Sequence, residues 1–538
     1  PRPFSYSFRE DASRLFTITR THAHTRTRTT KQPPSMKVAV YLSDAVGHLN
    51  PALALSRELL TRGHQLRFYL NSPHNEDNVR NMVAKASGVS GEAADIARFK
   101  EHELNFAEAV PAFEDQDPTD QAVNDYVLFL AKSQFLQVGA FLADVEAFAP
   151  QLILYDPAFV NPPLAAYLLG CPCASMVTYP SMNHIVNFTA DKTHEGKAKV
   201  LAALRMSKTM RHYRNLYLDM YSFDLFANFV QPYSYLPCGL QICTGIREFE
   251  LEMPPAVREI YGKMDRDCLY VGPMLLSKDQ GRVASQNVGK TCERQPIDAP
   301  FPHREVAAHK AEGKKIVYVS FGTVATGLLW HYSGPESKMM GAQGSGRDFC
   351  RTLWRRIFEA FEGRRDYVVV MATVSEDPKA LEGLDIPKNF IVRRRCPQLD
   401  VLKVADVFIT HGGANSMMES ITAGVPMLVL PYFADQFSNA EIISREGVGL
   451  HYLDPVAECT AFFIISDVET LQLQRPKFSG NCSRLDRLLK SAGSSDKAVR
   501  EIEKYVAAFQ GHEITKRQMS FDVDYLNCLL QRCNTGSW

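Results

Sequence analysis

Residues 410–449 read THGGANSMMESITAGVPMLVLPYFADQFSNAEIISREGVG, and this stretch decides the fold of the chain. Gly412 and Gly413 stand in a predicted loop, where they let the backbone come close to a ligand. Apolar residues then recur at helical spacing, and residues 427–430 form an apolar run that predicts a buried strand. A second loop and a second helix follow. Together these elements predict one βαβ unit of an α/β fold.

Polar side chains stand where each of these loops meets its helix. Asn415 and Ser416 are residue types that favour the N-cap of a helix, and the free N–H groups at a helix start suit a phosphate. Glu419, one turn further on, offers a carboxylate to ribose hydroxyls. Asp435 and Gln436 follow the predicted strand, and open α/β sheets bind ligands at the carboxyl ends of their strands. The segment therefore predicts recognition of a diphosphate, a ribose and sugar hydroxyls.

This segment resembles the donor-binding signature of the UDP-glycosyltransferases, the family-1 glycosyltransferases with the GT-B fold. The resemblance covers roughly residues 36–455 and implies an α/β protein with two Rossmann-like domains whose parallel sheets face each other across a cleft. An ordinary βαβ unit with a Gly-rich turn is the alternative, but it would not explain Glu419 or the Asp435–Gln436 pair. The matching positions are Gln398, His411, Gly412, Gly413, Asn415, Ser416, Glu419, Gly424, Val425, Pro426, Pro431, Asp435, Gln436, Asn439 and Ala440.

Length and composition predict the domain organisation. A chain of 538 residues can hold two separate cores. Residues 20–31 have no apolar period, so we expect an unstructured extension there, with a transit peptide as the alternative. The expected divisions are an N-terminal extension at 1–35, an acceptor-binding domain at 36–276, a linker at 277–313, a nucleotide-sugar-binding domain at 314–510 and a tail at 511–538.

Two segments depart from the family pattern. Residues 327–346 lengthen the loop after the first strand of the second domain, and their Gly, Ser and Met content predicts a mobile flap. Residues 457–482 interrupt a region that in the family runs directly towards a closing helix, here at 497–509. The sequence assigns this insert no role, and a splicing artefact competes with a functional loop as its explanation.

His48 is the candidate general base. Sugar transfer to a hydroxyl needs a base that takes the acceptor proton, and an imidazole with an ordinary pKa near 6.5 suits this task. Pro51 is expected to open the first helix, so that His48 lies in the loop after the first strand. The resemblance implies that His48 is the catalytic histidine and that Asp156 is the acidic partner that holds its tautomer. A capping or packing role is the alternative for each, and Asp44 is a second candidate partner.

The phosphate site is expected to draw on two loops of the second domain. Ser320, Gly322 and Thr323 follow a predicted strand, and in the family this corner lies against the nucleotide phosphates. His411 and Gly413, together with the helix N–H groups near them, are expected to meet the charge of the leaving UDP.

The nucleobase and the sugar are expected to contact other residues. Gln398 belongs to the loop that recognises the base in the family. Plant relatives place a tryptophan beside this glutamine to stack on uracil, whereas Arg395 and Cys396 stand nearby in this chain. Gln436 favours glucose as the donor sugar, with glucuronic acid and other sugars as alternatives.

Residues 213–235 are rich in aromatic side chains and form the candidate acceptor region. Such a stripe is more often core than pocket, but in this fold the region commonly roofs the acceptor site. We take Tyr179, Phe226 and Phe229 as candidate acceptor-binding residues. Their aromatic character favours a lipophilic alcohol, phenol or sterol.

The expected reaction is one in-line displacement that inverts the anomeric carbon and releases UDP. Acidic and basic residues balance at 60 each, so nothing predicts a nucleic-acid partner. We expect no cofactor and no metal, with the UDP-sugar as co-substrate, because the Asp-x-Asp triplets at 115–117, 265–267 and 522–524 follow no apolar strand. Twelve scattered cysteines and no long apolar run favour a cytoplasmic protein without a transmembrane segment. The oligomeric state stays open.

Two alternative functions stay open. One is another GT-B enzyme, such as a nucleotide-sugar epimerase or a lipid-intermediate glycosyltransferase. The other is a catalytically silent nucleotide-sugar-binding protein, since the two departing segments can have damaged the site.

Overall fold

Two large parallel β-sheets, one in each half of the chain, organise the part of the protein that the structure describes. The Asp-x-Asp triplets, Asp44 and the predicted tail lie outside that part. The computed structural model describes residues 35–43, 45–70, 76–86, 93–97, 138–157, 159–181, 208–225, 229–230, 233–234, 239–251, 268–276, 296–332, 342 and 344–509.

The first half of the chain forms one parallel sheet and a short hairpin. Its strands are β1 (Lys37–Leu42), β2 (Gln65–Leu70), β3 (Ala94–Ala97), β4 (Leu152–Tyr155), β5 (Cys173–Val177), β6 (Phe229–Val230), β7 (Tyr233–Ser234), β8 (Leu240–Cys243) and β9 (Cys268–Tyr270). The sheet has the order β3-β2-β1-β4-β5-β8-β9, whereas β6 and β7 pair only with each other. The crossovers place the carboxyl ends of β1, β4 and β5 side by side.

Helices cover both faces of this sheet. They are α1 (Val46–Thr61), α2 (Glu76–Ala84), α3 (Val138–Phe148), α4 (Asn161–Leu169) and α5 (Lys208–Tyr221). Along β1, Val38 and Val40 join the core under α1, whereas Ala39 and Tyr41 join the core on the opposite face. This alternation explains why the strand reads as a continuous apolar run, as expected for a parallel strand buried on both faces.

The second half repeats this architecture, which confirms the predicted α/β class with two Rossmann-like sheets. Its sheet has the order β12-β11-β10-β13-β14-β15, in which all neighbours are parallel, formed by β10 (Lys315–Ser320), β11 (Tyr367–Ala372), β12 (Phe390–Arg393), β13 (Val407–Thr410), β14 (Met427–Val429) and β15 (Gly449–His451). The helices that follow α5 are α6 (His303–Ala311), α7 (Gly346–Phe361), α8 (Gln398–Leu402), α9 (Ala414–Ala423), α10 (Gln436–Arg445), α11 (Pro455–Glu458), α12 (Ala461–Leu473), α13 (Arg475–Ser491) and α14 (Ser494–Phe509).

The predicted linker is wrong for residues 296–311. Pro296–Asp298 forms a 3-10 turn whose Ile297 carbonyl accepts from the backbone N–H of Arg394 at 2.8 Å. Helix α6 buries Val306 in the core of the second sheet. Because Val306 is the buried residue of α6, the helix has a weak apolar period and its sequence resembles that of a polar linker.

Helix α14 leaves the second sheet and returns to the first, so the predicted boundary at residue 510 also needs correction. Its buried side chains are Ala498, Val499, Ile502 and Val506, and they join the core beneath α1. Glu503 on the same helix lies 3.2 Å from the buried ring of His64. The end of the described chain therefore stabilises the N-terminal sheet.

The predicted insert is a structural part of the second domain, not an interrupting loop. Helix α12 buries Ile464, Val468 and Leu471 against one face of the sheet. Helix α13 buries Cys482 and Leu485 on the other face. Residues 457–482 therefore lie largely within two packed helices that cover both faces.

The predicted flap is packed where the structure describes it. Trp330 is buried and donates from Nε1 to Asp377 Oδ2 at 2.8 Å. The first part of residues 327–346 is thus anchored, and residues 333–341 and 343 lie outside the described part. None of the helices in the described part combines the length and apolarity needed to cross a bilayer.

Candidate active site

His48 lies in the first turn of helix α1, not in a loop. The helix begins at Val46, and Pro51 lies inside it. Proline has no N–H, so the hydrogen bond that residue 51 would donate to the carbonyl of Gly47 cannot form. The expectation that Pro51 opens the helix is therefore wrong. Because Pro51 lies inside the helix, the Gly47 carbonyl lacks its usual helical hydrogen-bond donor.

That carbonyl forms the contact between the two halves of the site. Asn415 donates from Nδ2 to the Gly47 oxygen at 3.3 Å. Residues 368 positions apart are joined by this bond. The start of helix α9 is thereby fixed beside His48.

His48 and Asp156 form a hydrogen-bonded pair. His48 Nδ1 lies 2.5 Å from Asp156 Oδ2, and Asp156 immediately follows β4. Burial alone would lower the pKa of His48, but Asp156, helped by the more distant Asp435, outweighs it and raises the pKa above its ordinary value. The pair has the geometry of a general base and its orienting acid.

Tyr179 contacts the other nitrogen of the same imidazole. Its hydroxyl lies 3.2 Å from His48 Nε2, and the two rings meet edge to face with centroids 5.2 Å apart. Tyr179 follows β5, beside Asp156 at the end of β4. Of the three predicted acceptor-binding residues, it is the one whose side chain the structure describes.

The other aromatic candidates give a mixed result. Phe226 and the side chain of Phe229 lie outside the described residues. Within the aromatic stripe, Tyr217 and Phe223 are buried in the core of the first sheet. These two residues support the interpretation of the stripe as core.

Helix α9 begins at Ala414, and Gly413 takes the N-cap position. The prediction that Asn415 and Ser416 cap the helix is wrong, because the extended backbone of Gly413 places both residues in the first helical turn. Their side chains point to other partners, Gly47 and Gln398. The first backbone N–H groups of α9 consequently have no side-chain cap, which suits an incoming anion.

His411 lies between two glycines next to that helix start. A Cβ atom on Gly322 would come within 2.4 Å of its Nε2 atom, and one on Gly413 within 2.6 Å. Burial lowers the pKa of His411 to about 4, against a backbone hydrogen bond to Ser320 that raises it. His411 is therefore neutral at pH 7 and can act as a hydrogen-bond donor but not as a cation. Thr323 lies one residue beyond Gly322 and is the N-cap of the short π-helix Val324–Leu328.

Gln398 joins the residues predicted to bind the nucleoside. Its Nε2 donates to Ser416 Oγ at 3.1 Å and to Glu419 Oε2 at 2.8 Å. Its Oε1 accepts from the hydroxyl of Tyr318 at 3.2 Å. Because all of its hydrogen-bonding atoms have partners, the amide fixes the buried Glu419 carboxylate in one orientation.

Arg395 extends from the loop just before α8. Its Nη2 donates to Glu376 Oε1 at 2.6 Å while about half of the side chain stays exposed. The neighbouring Cys396 is partly buried, and this desolvation raises the pKa of its thiol to about 12.

Asp435 and Gln436 have different environments although they are adjacent. Burial raises the pKa of Asp435 to about 6, against a hydrogen bond from Asn439 at 2.7 Å. Gln436 Oε1 accepts from the backbone N–H groups of Tyr432 and Phe433, at 2.8 and 3.2 Å. The carbonyl oxygen of the Gln436 side chain thus stabilises the loop.

Three contributions were not predicted from the sequence. Tyr318 stands in an apolar strand run, where nothing distinguishes it from core. The side-chain amide of Asn439 donates to both the Asp435 carboxylate and the Gly412 carbonyl. The match of Asn439 to the family signature is the sequence feature that could have identified it. The role of Pro51 follows only once the helix is known to start before it.

Comparison with known proteins places this site in context. The family described as UDP-glucoronosyl and UDP-glucosyl transferase matches residues 286–511. The NDP-glycosyltransferase YjiC of Bacillus licheniformis is 24% identical over 477 residues, which cover 87% of this chain and 98% of that protein. The YjiC protein of Bacillus subtilis is 24% identical over 466 residues, covering 86% of this chain and 95% of that protein.

Solved structures share the architecture. The glycotransferase of kitacinnamycin matches with a TM-score of 0.59 at 22% identity, covering 88% of this chain and 99% of that one. The calicheamicin glycosyltransferase CalG4 matches with a TM-score of 0.57 at 19% identity, covering 88% of this chain and 98% of that one. At these identities the likeness establishes the GT-B fold.

Proposed function

We propose that this chain is a UDP-glycosyltransferase that moves a hexose, glucose in the first place, from a UDP-sugar to a hydroxyl of a lipophilic small molecule. The family match over residues 286–511 and the similarity to an NDP-glycosyltransferase support transfer of a sugar from a nucleotide sugar. In this proposal His48 is the general base and Asp156 orients it. The transfer inverts the anomeric carbon and releases UDP.

The observation that carries the proposal is the hydrogen bond from Asn415 to the Gly47 carbonyl, next to the His48–Asp156 pair. It brings the start of helix α9, an anion site, close to a base on the other sheet. A base on one side of the anomeric carbon and a diphosphate on the other fit an in-line displacement by the acceptor oxygen. This geometry supports inversion in one step.

The donor contacts are proposed from the residues that line the second sheet. The Gln398–Glu419 pair offers a fixed carboxylate to the ribose hydroxyls. Ser320, Gly322, Thr323 and Ser416 in the first turn of α9 are proposed to surround the diphosphate, with neutral His411 as a donor to the leaving oxygen. Asp435, with the amide of Gln436, is proposed to hold the sugar hydroxyls.

The lipophilic acceptor and the preference for glucose are the most specific parts of the proposal. Tyr179 and the aromatic content of residues 213–235 support an apolar acceptor. The test is to incubate the protein with a panel of UDP-sugars and of phenols, sterols and aliphatic alcohols, and to read product masses. Starting from α-linked UDP-glucose, a β-glucoside is expected by NMR, and an α-glucoside would contradict the inverting mechanism.

The remaining alternatives are separated by the same assay. A silent binding protein would bind UDP-sugars in calorimetry without forming any product. An epimerase would change the sugar of the donor without any acceptor. Addition of EDTA tests the proposed metal independence, for which full activity is expected.

A cytoplasmic location is a further proposal. The eight cysteines in the described ranges are free thiols, which is typical of a reducing compartment. Fractionation of cells with an antibody to the protein is the test.

A further inference from the structure

The hydroxyl of Tyr179 occupies the place that an acceptor hydroxyl needs. It lies 3.2 Å from His48 Nε2, within the distance at which a base takes a proton. Nδ1 of the same ring lies against the Asp156 carboxylate, which only accepts hydrogen bonds. In the neutral imidazole Nδ1 therefore carries the proton, Nε2 carries the lone pair, and Tyr179 donates to it.

The ring of Tyr179 is held in this position by packing. Only 6% of the residue is exposed, and its edge-to-face contact with the imidazole has an interplanar angle of 87°. Its backbone carbonyl accepts from Cys243 Sγ at 3.3 Å, and Ser181 donates to Glu250 Oε2 at 2.8 Å. The phenol oxygen is thus fixed, whereas its hydrogen can still turn about the C–O bond.

We propose that Tyr179 is a positioning residue that caps the general base while the acceptor site is empty and releases it when an acceptor hydroxyl binds. The inference rests on the proposed function. Since Nε2 has one lone pair, it accepts one strong hydrogen bond at a time. An acceptor that replaces the phenol hydrogen exchanges one hydrogen bond for another, and contacts to the rest of the acceptor favour this exchange.

Water has no such further contacts, so the cap selects against it. In transfer, the acceptor O–H gives its proton to Nε2, its oxygen bonds to the anomeric carbon, and the bond to UDP breaks with the electron pair leaving on UDP. The same step with water would hydrolyse the UDP-sugar to free sugar and UDP. The Tyr179 cap therefore suppresses a side reaction that glycosyl transfer has to avoid.

Tyr179→Phe tests the cap because it removes one oxygen and keeps the ring. Tyr167→Phe is the matched control, since its hydroxyl donates to the Ser222 carbonyl at 3.0 Å and does not touch His48. The availability of Nε2 is measured with diethyl pyrocarbonate, which acylates an unprotonated imidazole nitrogen. Mass spectrometry of the His48 peptide reports the rate, with the exposed His331 as internal reference.

We expect His48 in Tyr179→Phe to react about 3- to 10-fold faster, the range for loss of one neutral hydrogen bond, with no change in Tyr167→Phe. Hydrolysis of the UDP-sugar without acceptor should rise by a similar factor. The KM for the acceptor should fall while kcat changes by less than about threefold.

An unchanged labelling rate at His48 would overturn the cap. A kcat for transfer that falls tenfold or more would also overturn it, because Tyr179 would then carry the proton itself. If the unmodified protein turns over no UDP-sugar, the proposed function fails, and the labelling rate still decides whether the cap exists.

Discussion

The two sheet edges that meet at the cleft are built in different ways. On the second sheet, Gln398 donates hydrogen bonds to both Ser416 and Glu419, and the three come from 22 consecutive residues, so the proposed donor side is ordered before a ligand arrives. On the first sheet, His48, Asp156 and Tyr179 span 132 residues and meet only because β1, β4 and β5 are neighbours.

This difference fits two different tasks, binding of the nucleotide and binding of the acceptor. A nucleotide presents the same groups to every enzyme that uses it, and a rigid, fully hydrogen-bonded site suits a constant ligand. An acceptor varies, and the side proposed to receive it holds the His48–Asp156 pair, whose residues come from distant parts of the chain. Changes on the first edge should therefore alter catalysis, and changes on the second edge should alter nucleotide affinity.

The largest expected effect comes from the base itself. His48→Gln removes the proposed proton acceptor, and transfer should fall by about 10²- to 10⁴-fold, the usual contribution of a general base. UDP binding, measured by calorimetry, should stay unchanged, because His48 belongs to the other edge. His303→Gln, an exposed histidine on α6, is the control. A parallel loss of UDP affinity would show that the two edges are not independent.

Asp156→Asn should have the next largest effect, a loss of about 10²-fold in kcat, because the imidazole loses the partner that fixes its tautomer. Asp156 raises the pKa of His48, so its removal lowers that pKa. The base is active when neutral, and the acid limb of the pH–rate profile that belongs to His48 should therefore move to lower pH. Asp435, whose pKa is raised to about 6, titrates in the same pH range. The part of the acid limb that belongs to Asp435 should therefore stay at the same pH in Asp156→Asn.

The control for this profile is Asp366→Asn, which changes an exposed carboxylate of the second domain. Its acid limb should coincide with that of the unmodified enzyme. If Asp156→Asn leaves the limb in place, Asp156 is a structural cap and not the orienting acid.

The sequence alone indicated which residues of the proposed donor edge lie together better than it did for the proposed acceptor edge. The signature around Glu419 is contiguous, so local spacing was enough to identify it. The contact between Tyr179 and His48 joins residues 131 positions apart, and only the strand order brings them together. No local pattern contains that information.

Some errors had a signal that was available. In residues 457–482 the buried positions Ile464, Val468 and Leu471 recur at helical spacing, which predicts a packed helix and not a loop. The N-cap error at Asn415 arose because residue preference favours Asn, whereas the extended backbone of Gly413 starts the helix two residues earlier. Helix α14 carries a clear apolar stripe, but the stripe does not say which sheet it covers.

Substitution of Glu419 tests the proposed donor edge separately from the proposed acceptor edge. The buried carboxylate accepts from Gln398 and is proposed to accept from the ribose, and a hydrogen bond to a charged group contributes about 1.5 to 3 kcal/mol. Glu419→Gln should weaken UDP binding by about 10- to 100-fold. It should leave binding of 2′,3′-dideoxy-UDP nearly unchanged, because that ligand lacks the hydroxyls.

Glu441→Gln, an exposed acid on α10, is the control and should bind both nucleotides as the unmodified protein does. Equal weakening of both nucleotides in Glu419→Gln would argue for a general disturbance of the site. The kcat at saturating donor should change by less than about threefold, since the base lies on the other edge.

The smallest expected effect tests the contact that joins the edges. Pro51→Ala supplies an N–H that can donate to the Gly47 carbonyl within helix α1, in competition with Asn415 Nδ2. Loss of one neutral hydrogen bond, about 0.5 to 1.5 kcal/mol, should lower kcat/KM by about 2- to 10-fold. Thermal stability should not fall, because the substitution removes a proline from a helix interior.

In the double variant with Asn415→Ala the Pro51→Ala change should have no further effect, since the bond it competes with is already gone. A full, additive loss in that double variant would mean that Pro51 acts on the site by another route.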